Sequence, residues 1–249
     1  MKTYRTLLRL YPADHPRDEM LDVLLTAGRP MRRELPALVL GGLRARLSDQ
    51  DPSRVRWQAA LRTAALMLLI AGAVAPLNDL YYGTQLRSNL TIATWIVAGL
   101  ASVAVMIGYR LPALGLAVAA LLLSGTDQIS IPATSAFAVA AVFLLVPGPR
   151  RPVLHPLAIL LPLAWAGDYH LPAGVQLALV VALALWTVVD ERLLLATGLA
   201  LSAGLIVATV EVAEIDDTRG LLILAAWRIG LPAALVAVAA LLLRRRATV

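Results

Sequence analysis

The sequence predicts an all-α fold: a polytopic transmembrane helix bundle of about eight spans over residues 51–249, behind a small N-terminal cytoplasmic helical domain of residues 1–50. Three observations carry that expectation. Hydrophobic residues make up 59% of the 249, with a mean hydropathy of +0.77, where a soluble domain is roughly 45–50% apolar. Charged residues are 15%, against about 25% in an average soluble chain, and they crowd into the first 62 residues and a few short gaps. From Trp57 onward, apolar stretches recur at lengths near the roughly 17–25 residues that cross a bilayer. So much apolar surface exceeds one buried core, and lipid must cover most of it.

The N-terminal segment reads as three short amphipathic helices. Tyr4, Leu7, Leu8 and Tyr11 recur at helical spacing, and Pro12 ends that helix. Asp14 and Pro16 start a second, with Met20, Leu21, Leu24 and Leu25 on it, and Gly28 and Pro30 stop it. A third runs from about Met31 to Leu47. Elements this short bury little on their own. They pack on one another, on the membrane surface or on a partner. Asp51 and Pro52 then cap the first long helix, and the apolar run from Trp57 reads as a retained anchor rather than a cleaved leader.

Spans are expected at about 57–77, 90–108, 111–126, 131–147, 152–167, 172–189, 193–212 and 221–243. Pro112, Pro132, Pro152 and Pro172 sit at span starts, where a missing N–H costs nothing. Pro162 and Pro232 lie inside spans and should kink them. Gly99-x-x-Ser102 and Gly198-x-x-x-Ser202-x-Gly204 read as small-residue packing faces.

Arginine sets the orientation. Lys2 and eleven Arg precede the first apolar core. Alternate gaps carry Arg110, then Arg150 and Arg151, then Arg192, and the last residues carry Arg244, Arg245 and Arg246. The other gaps hold only Arg87 and Arg219, with Asp79, Asp127, Asp168, Glu214, Asp216 and Asp217. The positive-inside rule therefore places both termini in the cytoplasm of a multi-pass protein in the plasma membrane, and it favours an even number of spans.

Much chemistry is excluded. There is no cysteine, hence no disulfide and no thiolate site. His15, His155 and His170 lie in separate segments, so no metal motif forms. No phosphate-binding loop and no nucleophile elbow occurs. The expectation is no enzyme and no cofactor. The net charge of +6 follows from arginines at helix ends, without the aromatic stripe of a nucleic-acid platform, so no direct nucleic-acid binding is expected. The lipid bilayer is the first partner.

One residue is costly where it stands. Arg228 lies about seven residues into the last expected span, at a depth of roughly 10 Å. A charge there must pair or reach water, and a hairpin between the last two spans would bring Glu211 to a similar depth. The long side chain either snorkels to the outer interface or joins a structural pair, or it marks an outward-facing ligand or ion site. In the N-terminal segment, Tyr4, Leu8, Tyr11 and Met20 either dock a partner helix or form the segment's own core.

The string Tyr4-Arg5-x-Leu7-Leu8-Arg9-Leu10-Tyr11-Pro12, followed by Asp18-Glu19-Met20-Leu21 and Gly41-Gly42-Leu43-Arg44-Ala45-Arg46-Leu47, resembles actinobacterial membrane proteins with a cytoplasmic HAAS-type helical domain. Between Pro12 and Glu19 the chain is shorter than that pattern. The resemblance covers about the first 47 residues. It implies a multi-helix sensor whose N-terminal helices communicate with a PadR-type transcription regulator. A related start also precedes some FtsX-like permeases, which keeps a small-solute transporter or permease as the alternative.

Overall fold

A computed structural model describes residues 4, 7–8, 11, 16–27, 35–39, 53–81, 89–126, 131–148, 152–153, 155–166, 173–187, 191–212 and 217–247. These residues form α-helices joined by turns, with no strand among them. The helices are α1 Arg17–Ala27, α2 Ser53–Tyr81, α3 Asn89–Ile107, α4 Arg110–Thr126, α5 Ile131–Leu145, α6 Pro156–Ala166 and α7 Ala173–Thr187. They continue with α8 Glu191–Leu201, α9 Gly204–Glu211 and α10 Thr218–Ala225, then a π-helical turn at Ala226–Gly230 and α11 Leu231–Ala247.

Among the described residues, four helical stretches are long and apolar enough to cross a membrane: Trp57–Val74, Leu90–Ile107, Arg192–Thr209 and Thr218–Leu242. Arg110–Gly125 and Ile131–Leu145 are shorter apolar helices. Such helices fit an integral membrane protein. Each expected apolar stretch is helical, with three local departures. Residues 152, 153 and 155 lie outside α6, because Val153 donates its N–H to the Met106 carbonyl (3.0 Å) and His155 precedes a proline, which disfavours the helical basin. The stretch at 193–212 is interrupted between α8 and α9. The last one carries the π turn.

Helix α2 is the hub and packs against α3, α5, α6 and α8. Its Ala60, Ala64, Ala65, Leu66, Met67 and Leu69 are fully buried. Alanine dominates the core on the neighbours too, at Ala98, Ala113, Ala117, Ala140 and Ala196. Small side chains let helix backbones approach closely, which is where packing energy comes from when lipid replaces water as solvent. The buried hydroxyls bond back into their own helices: Thr94 to Leu90 O (2.9 Å), Ser102 to Ala98 O (2.9 Å) and Thr197 to Leu193 O (2.8 Å). No hydroxyl donor is thereby left facing hydrocarbon at these positions.

Glycine works by close approach. A Cβ on Gly72 would stand 2.7 Å from the Phe137 ring of α5, and one on Gly198 would stand 2.8 Å from Val236 Cγ2 and 3.1 Å from the Val236 backbone nitrogen of α11. Gly198 thus belongs to a packing face, as its place in the pattern suggests. Gly99 does not: it is exposed, with nothing within 4 Å of a built Cβ, and only Ser102 of that pair is buried.

The α3–α4 connection is a Schellman turn. Gly108 has φ 91°, its N–H reaches Val105 O (3.0 Å), and Tyr109 N–H reaches Ala104 O (2.8 Å). Gly108→Ala should cost about 1 kcal/mol through the left-handed conformation alone, measured as a lowered unfolding midpoint in detergent.

A second, separate cluster buries Leu8, Tyr11 and Leu21, with Tyr4, Met20 and Leu24 packed on it. Pro16 stands just before α1, and its carbonyl accepts from Met20 N–H (3.0 Å). Of the expected third helix, residues 35–39 are helical with Leu38 buried; the remainder, Gly41 and Gly42 included, lies outside the described residues. Burial pushes the Tyr11 phenol above the usual tyrosine range. The cluster should keep full stability below about pH 10 and lose it as pH rises toward the folded value, because the unfolded chain gives up the proton first. Tyrosinate absorbance of the wild type against Tyr11→Phe checks this.

Candidate functional site

The outermost helix carries Arg228. Its α10–π–α11 stretch is the least enclosed, with 6% of Thr218–Leu242 buried against 56% of Trp57–Val74. Asp217 starts it as an N-cap, its Oδ1 accepting from Gly220 N–H at 2.8 Å. Arg228 therefore sits ten residues into the helix, about 15 Å along the axis, because the helix begins at Thr218, three residues before the expected span.

The π turn has a local cause. Pro232 has no N–H, and in an α-helix its ring would crowd the Arg228 carbonyl. The chain widens by one residue instead, and Leu231 N–H reaches Ala226 O. The Trp227 carbonyl loses its usual helical donor, Leu231, and the next residue is proline. Wide turns of this kind concentrate at functional positions. The kink expected at Pro232 takes this form, and Pro232 itself is buried.

Opposite the π turn, α8 ends and α9 begins. Ser202 Oγ donates to Leu199 O (2.5 Å). Ala203 N–H bonds Ala200 O (3.1 Å), Leu205 N–H bonds Ser202 O (3.0 Å) and Ile206 N–H bonds Ala203 O (3.2 Å). Tightened three-residue bonds replace the four-residue ladder there. The half-buried Arg228 side chain lies over this break: a Cβ on Gly204 would stand 3.1 Å from Nη1 and 3.4 Å from Cδ. A side chain there would press the guanidinium aside by a few tenths of an ångström. The guanidinium and the junction of α8 with α9 are thus brought together.

Arg228 thus meets the backbone at Gly204, seven residues before Glu211. The Glu211 side chain lies outside the described residues, as do Asp168, Tyr169, His170, Glu214 and Asp216. No group of three or more His, Cys, Asp or Glu able to hold a metal occurs among the described residues. Of the N-terminal candidates, Leu8 and Tyr11 are turned into their own cluster, with Tyr4 and Met20 packed on them. The exposed apolar residues of α1 are Val23 (67%) and Leu25 (39%).

Sequence reasoning missed the opposite end of the bundle. Arg62, read there only as a flanking charge, is 7% exposed and donates from Nη2 to Gly148 O at 2.5 Å. Arg110 begins α4 at the same end, where Val153 N–H reaches Met106 O (3.0 Å). Near the same end, His155 meets Trp186 edge to face, with centroids 4.8 Å apart and planes at 87°. Arg110 Nε, both His155 ring nitrogens and Trp186 Nε1 are buried without a hydrogen-bond partner among the described residues. Nothing local in the sequence brings residues 62 and 148 together. No family model, curated protein or solved structure matches the chain.

Proposed function

We propose that the chain is a membrane sensor of about eight spans, with both termini in the cytoplasm of a plasma-membrane protein. A ligand at Arg228 shifts the bundle between two arrangements, and the N-terminal helices pass the shift to a PadR-type transcription regulator. The observation that carries the reading is the seating of Arg228, on its π turn, over the break before Gly204. Irregular turns facing each other in neighbouring helices form an element able to repack. A ligand moves such an equilibrium only by its differential affinity for the two arrangements. The charge of Arg228 selects an anionic ligand. The separate N-terminal cluster supports the output half, since it leaves the apolar Val23 exposed for a partner helix.

Two measurements test the two halves. The full chain should co-purify with a PadR-type regulator from its own cells, and Val23→Glu should weaken that association; no association at all rejects the output half. Cysteine at position 228, in a chain with no cysteine, should react with a membrane-impermeant maleimide from outside. Protection at that position removes the ligand site.

The broken α8–α9 helix also favours a second reading, a small-solute transporter or permease, because interrupted helices line substrate sites in such proteins. Uptake by the purified chain in vesicles, with no regulator bound, selects it over the sensor.

A further inference from the structure

Buried polar atoms from two distant segments meet in one ring contact at the other end of the bundle. His155 stands in the connection between α5 and α6, outside both helices. It meets Trp186 of α7 edge to face, with centroids 4.8 Å apart. Both imidazole nitrogens and the indole N–H are buried, and none has a hydrogen-bond partner among the described residues. Water is close all the same. Pro152 and Pro156 are exposed on either side, so a short swing of the ring reaches solvent. The lead into α6 is tied down at Val153, which donates its N–H to Met106 O (3.0 Å) and packs against the core. Leu157 and Ala158 of α6 are buried in that core.

The charge state of such a ring is not a free choice. Neutral imidazole leaves one N–H and one lone pair unmet. Imidazolium leaves two donors and a full charge unmet, which costs far more. Of the elements around it, α3, α6 and α7 carry no ionisable side chain. Helix α2 brings Arg62, which donates to Gly148 O. Helix α4 begins with Arg110, and α8 brings Arg192 in its first turn. The described charges are therefore cations, and a cation does not stabilise imidazolium. The side chains of Arg54, Arg56 and Glu191, with Arg150, Arg151 and Asp190, lie outside the described residues. Burial pushes the imidazole below its usual range. A released ring takes up its proton near pH 6.5, before the enclosed one does. The enclosed arrangement is thus at full stability above that pH, and loses stability as pH falls from there toward the enclosed ring's own value.

We infer that His155 is a proton-binding site whose occupation frees the lead into α6 from α7: the neutral ring stays on Trp186, and the charged ring leaves for water. The proton comes from solvent and returns to it. The bundle thereby answers to mild acid, the range in which an ordinary imidazole changes charge. The site rests on no ligand at Arg228 and on no regulator, so its failure leaves the sensor reading untouched.

The test uses the full chain in detergent with Val153→Cys as its single thiol, since the chain has no cysteine. It is made with His155 in place and with His155→Phe, because phenylalanine keeps a ring against Trp186 and takes no proton. Dividing the maleimide rate of the first by that of the second, at one pH, cancels the pH dependence of the reagent. That ratio should be near one at pH 7.5 and rise about tenfold at pH 5.5, the equivalent of one pH unit of preferential protonation. A ratio unchanged between the two pH values overturns the site. Should His155→Phe fail to fold, imidazole NMR of the His15→Gln/His170→Gln variant decides, since His155 is then its one histidine. A ring that takes its proton below the ordinary value, with the Trp186 indole resonance moving in step, supports the site. Titration at the ordinary value, or an indole that does not move, overturns it.

Discussion

Phe137→Ala should lower the unfolding free energy of the bundle by about 3 kcal/mol, the lower end of the range for truncating a buried aromatic. Phe137 is fully buried on α5 and fills the space that Gly72 leaves on α2. Hydrocarbon replaces water around the helices, so transfer contributes little. The loss comes from packing contacts that a cavity cannot recover. Gly72→Leu attacks the same contact from the other side, because its Cβ alone would stand 2.7 Å from the ring. The double variant Gly72→Leu/Phe137→Ala puts volume back where it was removed and should be more stable than either single change. Steric-trap or detergent unfolding of the four proteins measures this. A double variant no better than the worse single one would show that α2 and α5 do not meet as described.

Gly198→Leu should be still more damaging. Two of the atoms its side chain meets can hardly yield: the Val236 backbone nitrogen at 3.1 Å and Leu235 Cβ at 3.1 Å. The α8–α11 contact must open, and it is the main attachment of the outermost helix to the bundle. The expected result is a shift of several degrees in unfolding midpoint, with α11 turning protease-sensitive ahead of the rest. Gly99→Leu is the matched control, because Gly99 faces open space on α3, and it should leave the midpoint where it was.

The helices themselves were legible because each apolar stretch is long, uniform and bounded by arginine, proline or acid. That signal is local and needs no partner. The positions of Arg228 and Gly198 could also be marked, one as a costly charge in an apolar run and the other as a small residue in a repeating pattern. What escaped is set by pairings between segments. Gly99 and Gly198 occupy similar patterns, and only the neighbouring helix decides which of them is pressed. Arg62 looks like any flanking cation until Gly148, 86 residues away, accepts its hydrogen bond. At the interruption Ser202 bonds back to Leu199, and Ser124 and Ser135 make the same kind of bond within unbroken helices, so the residue type does not announce the break. The π turn lies between these cases: Pro232 announces a disturbance, and the choice between a bend and an extra residue is made by the surroundings.

The slight enclosure of Thr218–Leu242 ties Arg228 to the membrane's mechanics. A helix of 25 residues measures about 37 Å along its axis, longer than the roughly 30 Å hydrocarbon thickness, so it must lean. Its N-terminal half, away from the α8–α11 contact, has little protein around it, so that half is the part free to answer to the bilayer. Stretching or thinning the membrane would then slide the guanidinium along the break at Gly204, and lipid composition becomes an input to the site in its own right.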